Sequence, residues 1–283
     1  MNSIPYDSAS NDDPLRQFDF YLPELALSLP HTPSLLCFIH GGAWRSEDKQ
    51  DHAQLARRLA AATACPVAVP NYRLTPSDNH DPRFRHPIHA QDILTFLKFV
   101  RTWRYQGQLS DAFDPDSLVL LGHSCSAHML ASILLDSHQA SLVPSPDLLS
   151  SVKGVVLSEG IYDLDKLVAR FPAYQAWFIE PTFGPPSSGD APYRRFSALE
   201  YPLRLSSPSS SSALAWLLLH STGDTLIDLD QTRSMYNHLV QIAPTPSLIS
   251  INTDALKEEH DAIFEGDAYL QLVRQFTSRL IPE

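Results

Sequence analysis

The sequence predicts an α/β fold in which helices flank both faces of a mostly parallel central sheet. Short apolar runs alternate along the 283 residues with longer segments whose apolar residues recur at helical spacing. The apolar runs are continuous, which is typical of strands buried on both faces of a parallel sheet. Glycine is scarce but stands close behind three of these runs, where it permits tight turns, at Gly41, Gly42, Gly122 and Gly223.

The individual elements follow this alternation along the chain. The predicted strands are Phe18–Leu22, Leu35–His40, Pro66–Tyr72, Leu118–Leu121, Val152–Ser158, Leu214–His220 and Ser247–Asn252. The predicted helices are Lys49–Ala64, His86–Gln106, Ser126–Leu135, Leu229–Ile242 and Asp261–Leu280. Ligands of such sheets bind at the carboxyl ends of the strands, so we expect the functional residues in the turns that follow them.

No repeat or domain boundary interrupts the pattern, and we expect residues 1–283 to form a single domain. Two polar stretches depart from the alternation, at residues 73–85 and 161–213. Clusters of proline and serine in the second stretch are typical of loops. Because it joins two strands whose ends would face the site, it fits either an exposed linker or a lid.

The charge and the cysteines limit the partners that the chain is expected to have. The net charge is −11 and no basic stripe is present, which argues against nucleic acid and anionic membranes as partners. Three cysteines without paired spacing predict neither a disulfide framework nor a zinc site. The pair His86 and His89 has no third ligand nearby in the sequence, so no metal is expected.

The expected compartment is the cytoplasm. The N-terminal residues lack the basic start and apolar segment of a signal peptide. No apolar run approaches the roughly 18 residues of a membrane span. The sequence leaves a homodimer open.

The stretch LVLLGHSCSAHML, residues 118–130, resembles the nucleophile elbow G-x-S-x-G of serine hydrolases, with Ser126 in place of the last glycine. A strand-to-helix turn of this kind would expose the hydroxyl of Ser124 and aim the helix N-terminus at a developing oxyanion. The turn demands small residues at both flanking positions, which Gly122 meets and Ser126 still fits. The alternative is that Ser124 only caps the helix.

HGGAW, residues 40–44, follows the strand Leu35–His40 and favours the nucleophile interpretation. Hydrolases with an elbow need backbone N–H groups from an earlier strand-to-helix loop, which an HGGG-type motif supplies. The N–H groups of Gly42, Ala43 and Cys125 would then form the oxyanion hole. The whole motif comprises His40, Gly41, Gly42, Ala43 and Trp44.

The acid and the base should follow the serine in the order Ser, Asp or Glu, His. His238 falls inside an amphipathic helix, whereas His260 falls in the loop after the last strand, so His260 is the expected base. Asp224 directly follows a strand and its Gly223 turn, and is the expected acid. The alternatives, Asp228 and Asp230, are predicted in the first turn of the next helix.

Five motifs together resemble the fungal kynurenine formamidases, arylformamidases of the α/β-hydrolase fold that are related to the hormone-sensitive-lipase-like esterases. The motifs are HGGAW, GHSCSAH, EGIYDL, HSTGDTLIDLDQT and KEEHDAIF, and the resemblance runs from about residue 35 to the C-terminus. It implies a triad of Ser124, Asp224 and His260 and an oxyanion hole in the HGGAW loop. It also implies hydrolysis of N-formyl-L-kynurenine to L-kynurenine and formate, without a cofactor.

The substrate contacts are less well defined than the triad. Trp44 would narrow the acyl side, and Tyr162 and Trp177 would face the substrate ring or belong to the core. A general carboxylesterase would share every catalytic residue named, and a catalytically silent small-molecule-binding protein is a further alternative. The size of the accepted acyl group separates a formamidase from an esterase.

Overall fold

One sheet of eight strands organises the chain in the computed structural model, which describes residues 3–7, 12–23, 32–105, 112–204 and 214–280. The strands are β1 (Ile4–Pro5), β2 (Gln17–Tyr21), β3 (Ser34–Ile39), β4 (Val67–Pro70), β5 (Asp114–His123), β6 (Val152–Ser158), β7 (Ala215–Leu219) and β8 (Ile249–Asn252). The strand order is β1-β2-β4-β3-β5-β6-β7-β8, and β3 to β8 run parallel, whereas β2 pairs antiparallel with β1 and β4. The predicted mostly parallel sheet is confirmed.

Helices cover both faces of this sheet, as the sequence predicted. The helices are α1 (Ala53–Thr63), α2 (Ile88–Thr102), α3 (Cys125–Leu134), α4 (Pro146–Ser151), α5 (Leu164–Arg170), α6 (Glu180–Phe183), α7 (Leu229–Ile242) and α8 (Ala268–Leu280). Successive side chains of a strand point to opposite faces. Leu35 and Cys37 therefore pack in the core layer under α2, α3 and α7, whereas Leu36 and Phe38 pack under α1 and α8.

Three predicted helices begin later than the sequence suggested, and for α2 the difference is only from His86 to Ile88. Helix α1 begins at Ala53 because the preceding residues form a turn, in which Asp48 Oδ1 accepts the Gln50 N–H at 2.9 Å. Helix α8 begins at Ala268, after a separate 3-10 turn at Ala262–Phe264. Strand β5 is longer than predicted at both ends, because Asp114 pairs with Ser34 of β3 and His123 pairs with Ser158 of β6.

The stretch 161–213, predicted as loop, is partly helical where the structure describes it. It contains α5, a π-helical turn at Gln175–Ile179 and α6. Asp163 caps α5 by accepting the Lys166 N–H at 3.0 Å, a local signal that the proline and serine content obscured. The serine cluster at 205–213 lies outside the described residues. The lid remains a prediction.

The helices can also be compared with the thickness of a membrane. In the part of the chain that the structure describes, no helix has both the length and the apolar composition that a membrane crossing requires.

The turn between β5 and α3 is held by the hydroxyl of Ser126. Its Oγ accepts the His123 N–H at 2.7 Å and faces the carbonyls of Ile39 and His123 at 2.7 and 2.8 Å. The fully buried Ser126 hydroxyl thus accepts one backbone hydrogen bond and donates its single proton to one of these two carbonyls. The residue that departs from the elbow pattern thus ties the turn to the end of β3.

We predict that Ser126→Ala lowers the free energy of unfolding by about 1–3 kcal/mol, because it removes two buried hydrogen bonds to the backbone, one accepted and one donated. Ser151→Ala is the matched control, since the buried Ser151 hydroxyl donates to a single carbonyl, that of Leu148, at 2.7 Å. Denaturant unfolding of both variants checks this. Equal losses of stability in the two variants would contradict the special role of Ser126.

Candidate active site

Ser124 lies at the carboxyl end of β5 in a strained backbone conformation. Its φ and ψ are 56° and −121°, a region that costs a residue with a side chain about 1–3 kcal/mol. The backbone is fixed by neighbouring strands, since the Ser124 N–H donates to the Ser158 carbonyl at 2.9 Å. Ser124 occupies the N-cap position of α3, yet its side chain accepts no capping hydrogen bond there. The hydroxyl is therefore not used to cap the helix.

The HGGAW loop approaches this turn through backbone conformations that are rare outside glycine. Gly42, Ala43 and Trp44 have φ values of 87°, 51° and 61°. Gly41 permits the approach, because a Cβ built there would lie only 3.2 Å from the Cβ of Ser124. The Trp44 N–H donates to the Cys125 sulfur at 3.3 Å, which links the loop to the first residue of α3. The ends of β3 and β5 thus converge beside Ser124.

His260 and Asp224 meet at the same edge of the sheet. His260 Nδ1 donates to Asp224 Oδ2 at 2.8 Å, and the Asp224 side chain has no exposed surface. The other oxygen, Oδ1, accepts the N–H groups of Leu226 and Ile227 at 2.8 and 3.0 Å. Burial raises the pKa of Asp224, but the hydrogen bond and charge of His260 and these two N–H groups outweigh it and lower the pKa. Asp224 is therefore an anion at neutral pH.

The alternative acids, Asp228 and Asp230, and the alternative base, His238, occupy positions in or next to α7. Asp228 caps α7 by accepting the Gln231 N–H at 3.2 Å, and Asp230 follows in the first turn, as the sequence predicted. His238 lies in α7, where its Nε2 donates to the Tyr201 carbonyl at 2.9 Å. Of these candidates, Asp224 and His260 are the ones that the structure brings together.

A second carboxyl group, which the sequence analysis missed, touches His260. Glu159 directly follows β6, and its Oε2 lies 3.2 Å from His260 Nδ1. Burial, followed by the charge of Asp224, raises the pKa of Glu159 to about 10, so this carboxyl group is neutral. Its position after a predicted strand, in EGIYDL, was the signal that could have identified it.

His123, which directly precedes Ser124 in the sequence, packs its ring against the ring of His260. The two rings lie 4.5 Å apart, and His123 Nε2 donates to Asp261 Oδ1 at 3.2 Å. Burial, followed by the charge of His260, lowers the pKa of His123 to about 4. His123 is therefore neutral and accepts from the Ser158 hydroxyl at Nδ1, at a distance of 3.2 Å.

A cavity of about 160 Å³ joins these groups. Ser124 and His260 line it together with Gly42 and Ala43 of the HGGAW loop. One side of the lining is apolar and largely aromatic, and is formed by Ile161, Tyr174, Trp177, Phe178, Leu226 and Ile227. The remaining lining residues are Ser46, Glu47 and Asp261. The cavity therefore offers a hydroxyl, an imidazole and an aromatic wall to one small ligand.

The three aromatic side chains suggested as substrate contacts occupy different places. Trp177, on the π-helical turn, lines the cavity and is 52% exposed. Trp44 and Tyr162 are fully buried and are absent from the cavity lining, so for these two the structure favours the core role. Trp44 packs edge-on against Phe183, with ring centroids 5.1 Å apart, and supports the loop from behind.

Three groups of side chains within the described residues bring metal-ligating atoms within 4.8 Å of one another: His40 with Glu47 and His52, His123 with His260 and Asp261, and Glu159 with Asp224 and His260. In each group a histidine is already hydrogen-bonded to a carboxylate, such as His52 to Glu47 at 2.8 Å. His86 and His89 belong to none of these groups. The expectation of no metal stays a prediction.

Comparison with known proteins places these features in a family. The chain is 27% identical over 208 residues to a kynurenine formamidase of Meyerozyma guilliermondii, a match that covers 72% of this chain and 70% of the relative. It is 25% identical over 284 residues to a kynurenine formamidase of Aspergillus versicolor, covering 93% and 95% of the two chains. These similarities support a hydrolase and confirm the resemblance read from the motifs.

The solved structure of esterase B from Lactobacillus rhamnosis superimposes with a TM-score of 0.67 at 18% identity and covers 99% of this chain and 87% of that one. A likeness at this identity establishes the fold alone. A family model described as alpha/beta hydrolase fold matches residues 36–181, more than half of the chain. The chain therefore belongs to the α/β-hydrolase fold family.

Proposed function

We propose that the chain is a serine hydrolase with a Ser124–His260–Asp224 triad, and that it hydrolyses N-formyl-L-kynurenine to L-kynurenine and formate. The observation that carries the proposal is the cavity that Ser124 shares with His260, whose other ring nitrogen is held by the buried Asp224 at 2.8 Å. The choice of substrate is supported by the relatives named kynurenine formamidase.

In the first half of the reaction, His260 Nε2 takes the proton of the Ser124 hydroxyl as Ser124 Oγ attacks the formyl carbon. The N–H groups of Gly42, Ala43 and Cys125 would bind the resulting oxyanion. When the carbon–nitrogen bond breaks, His260 gives its proton to the aniline nitrogen and L-kynurenine leaves. Ser124 then carries a formyl ester.

In the second half, water attacks the formyl carbon and gives a proton to His260. The ester bond to Ser124 breaks, the proton returns to the serine oxygen and formate leaves. Asp224 stays ionised throughout, because it holds the proton on His260 Nδ1 and stabilises the imidazolium that forms twice in each cycle. These groups complete the reaction without a cofactor.

The cavity lining is suited to an aromatic amide that carries an ammonium group. Tyr174, Trp177 and Phe178 offer ring faces and edges to an aniline ring, contacts worth about 0.5–1.5 kcal/mol each. Glu47 and Asp261 would attract the α-ammonium group of the amino-acid side of the substrate. The formyl group would then lie between Ser124 and the HGGAW loop.

A general carboxylesterase is the second candidate function. The same triad and oxyanion loop would serve it, and the exposed Trp177 side of the cavity gives a longer acyl chain a path towards solvent. The likeness to esterase B concerns the fold and does not select between the two activities.

Three aryl amides of L-kynurenine that differ only in the acyl group separate these functions. We predict that kcat/KM for the N-formyl compound exceeds that for the N-acetyl and N-butyryl compounds by at least about tenfold, or 1.4 kcal/mol. Release of L-kynurenine, followed by its absorbance, is the common measurement. Ser124→Ala should lower turnover by about 10³-fold or more while the fold is retained.

Equal or higher rates for the butyryl compound would favour the esterase. Near-full turnover by Ser124→Ala would mean that another residue is the nucleophile. The absence of turnover by the wild-type protein on all three amides and on p-nitrophenyl esters would favour a binding protein.

Asp224→Asn should lower kcat by at least about 10²-fold, because the imidazolium loses its nearest carboxylate, and the other carboxyl group, Glu159, lies farther from His260 Nδ1, at 3.2 Å. Asp228→Asn is the matched control: Asp228 follows the same strand, and asparagine caps a helix about as well as aspartate does. We expect its kcat to stay within about threefold of the wild type. Steady-state kinetics with thermal unfolding checks both variants, and the opposite ranking would exclude Asp224 as the acid.

A further inference from the structure

Glu159 is fixed in the active site although the proposed reaction assigns it no step. It follows β6 with a φ of 50°, a strained conformation for a residue with a side chain, and its N–H donates to the Leu219 carbonyl at 2.9 Å. Its Oε1 accepts the Ser221 N–H at 3.1 Å, and its side chain has no exposed surface. Backbone and side chain together hold Glu159 Oε2 at His260 Nδ1, at a distance of 3.2 Å.

Two carboxyl groups therefore compete for one imidazole N–H. The shorter contact, 2.8 Å, belongs to Asp224, which also accepts two backbone N–H groups. Both side chains are fully buried, and two adjacent buried carboxylates are not stable as a pair of anions. The proton therefore resides on Glu159. The negative charges of Asp224, Asp261 and Glu258 disfavour its ionisation, and Tyr269 and His260 are its other titratable neighbours.

The position of that proton follows from the hydrogen bonds. Because Oε1 accepts from Ser221, the O–H belongs on Oε2, which has no hydrogen-bond partner of its own among the described residues. One carboxyl oxygen of Glu159 lies within 4.8 Å of a carboxyl oxygen of Asp224. At this distance a neutral acid can turn its O–H dipole towards the Asp224 carboxylate, which stabilises that anion.

We propose that Glu159 is a positioning residue that stabilises the ionised Asp224 as a neutral acid and that ionises to orient His260 when the charge of Asp224 is removed. The arrangement places one carboxyl group at the end of β6 and the other in the turn after β7, neighbouring strands of the sheet. The proposal rests on the proposed function only in taking His260 as the residue that must be oriented for turnover.

The test is Glu159→Gln made in two backgrounds, with p-nitrophenyl acetate hydrolysis as the readout. In the wild-type background we expect kcat to fall by less than about tenfold, because glutamine keeps a neutral donor and an acceptor there. In the Asp224→Asn background we expect a further loss of at least about a hundredfold, because no carboxylate is left to orient His260. Equal factors in the two backgrounds would overturn the proposal.

Glu258→Gln is the matched control, since Glu258 acts on Glu159 through its charge but its Oε2 accepts from the Lys257 N–H, at 2.8 Å. Its effect should be the same in both backgrounds. Circular dichroism and thermal unfolding of every variant show whether a loss of turnover reflects a loss of the fold.

Infrared spectroscopy in D₂O near neutral pD tests the proposal without any turnover. We expect the carbonyl band of a protonated carboxylic acid in the wild type, its loss in Glu159→Gln, and its loss in Asp224→Asn, where Glu159 ionises. A wild type without this band, or a band that survives Glu159→Gln, would overturn the proposal. Because these spectra need no substrate, they stand even if Ser124→Ala shows that the proposed nucleophile is wrong.

Discussion

The candidate active site depends on one buried hydrogen bond, between His260 Nδ1 and Asp224 Oδ2 at 2.8 Å. A carboxylate without exposed surface persists only if its charge is balanced and its oxygens are hydrogen-bonded. The N–H groups of Leu226 and Ile227 and the imidazole meet this requirement together. The turn that carries Asp224 contains Gly223, which packs so closely against the backbone of Lys257 and Glu258 that no side chain would fit there. These two residues belong to the loop that carries His260. Any change in that packing would move Asp224 relative to His260.

The opposite side of the cavity is held by hydrogen bonds between the ends of two other strands. Ser126 links the turn after β5 to the last carbonyl of β3, and the Trp44 N–H links the HGGAW loop to Cys125. Left-handed residues are concentrated here, at Gly42, Ala43, Trp44 and Ser124. Their strain is tolerated because β3 and the carboxyl-terminal part of β5, which lie beneath them, are fully buried and fix the chain. The rigid sheet edge thus determines where the serine, the loop and the histidine stand.

Much of this arrangement could be predicted from the sequence, because it depends on local signals. Glycine after an apolar run predicts a turn. The order serine, aspartate, histidine leaves His238 and His260 among twelve histidines, and the predicted loop favours His260 over the helical His238. The sequence analysis missed Glu159 because this residue follows β6, whereas Asp224 follows β7. Sequence spacing does not reveal that these two strands end side by side. The burial of Trp44 was likewise not predictable, because it depends on α6, a helix of four residues that periodicity does not detect.

Labelling with a fluorophosphonate probe tests the central claim, that Ser124 is the nucleophile of this site, most directly. The probe phosphonylates an activated serine, and mass spectrometry of the digested protein locates the adduct. The account predicts one adduct per chain on the peptide that contains Ser124, with full protection by N-formyl-L-kynurenine and no labelling of the Ser124→Ala variant. An adduct on a different serine, or turnover of the substrate by a protein whose Ser124 is fully phosphonylated, would contradict it.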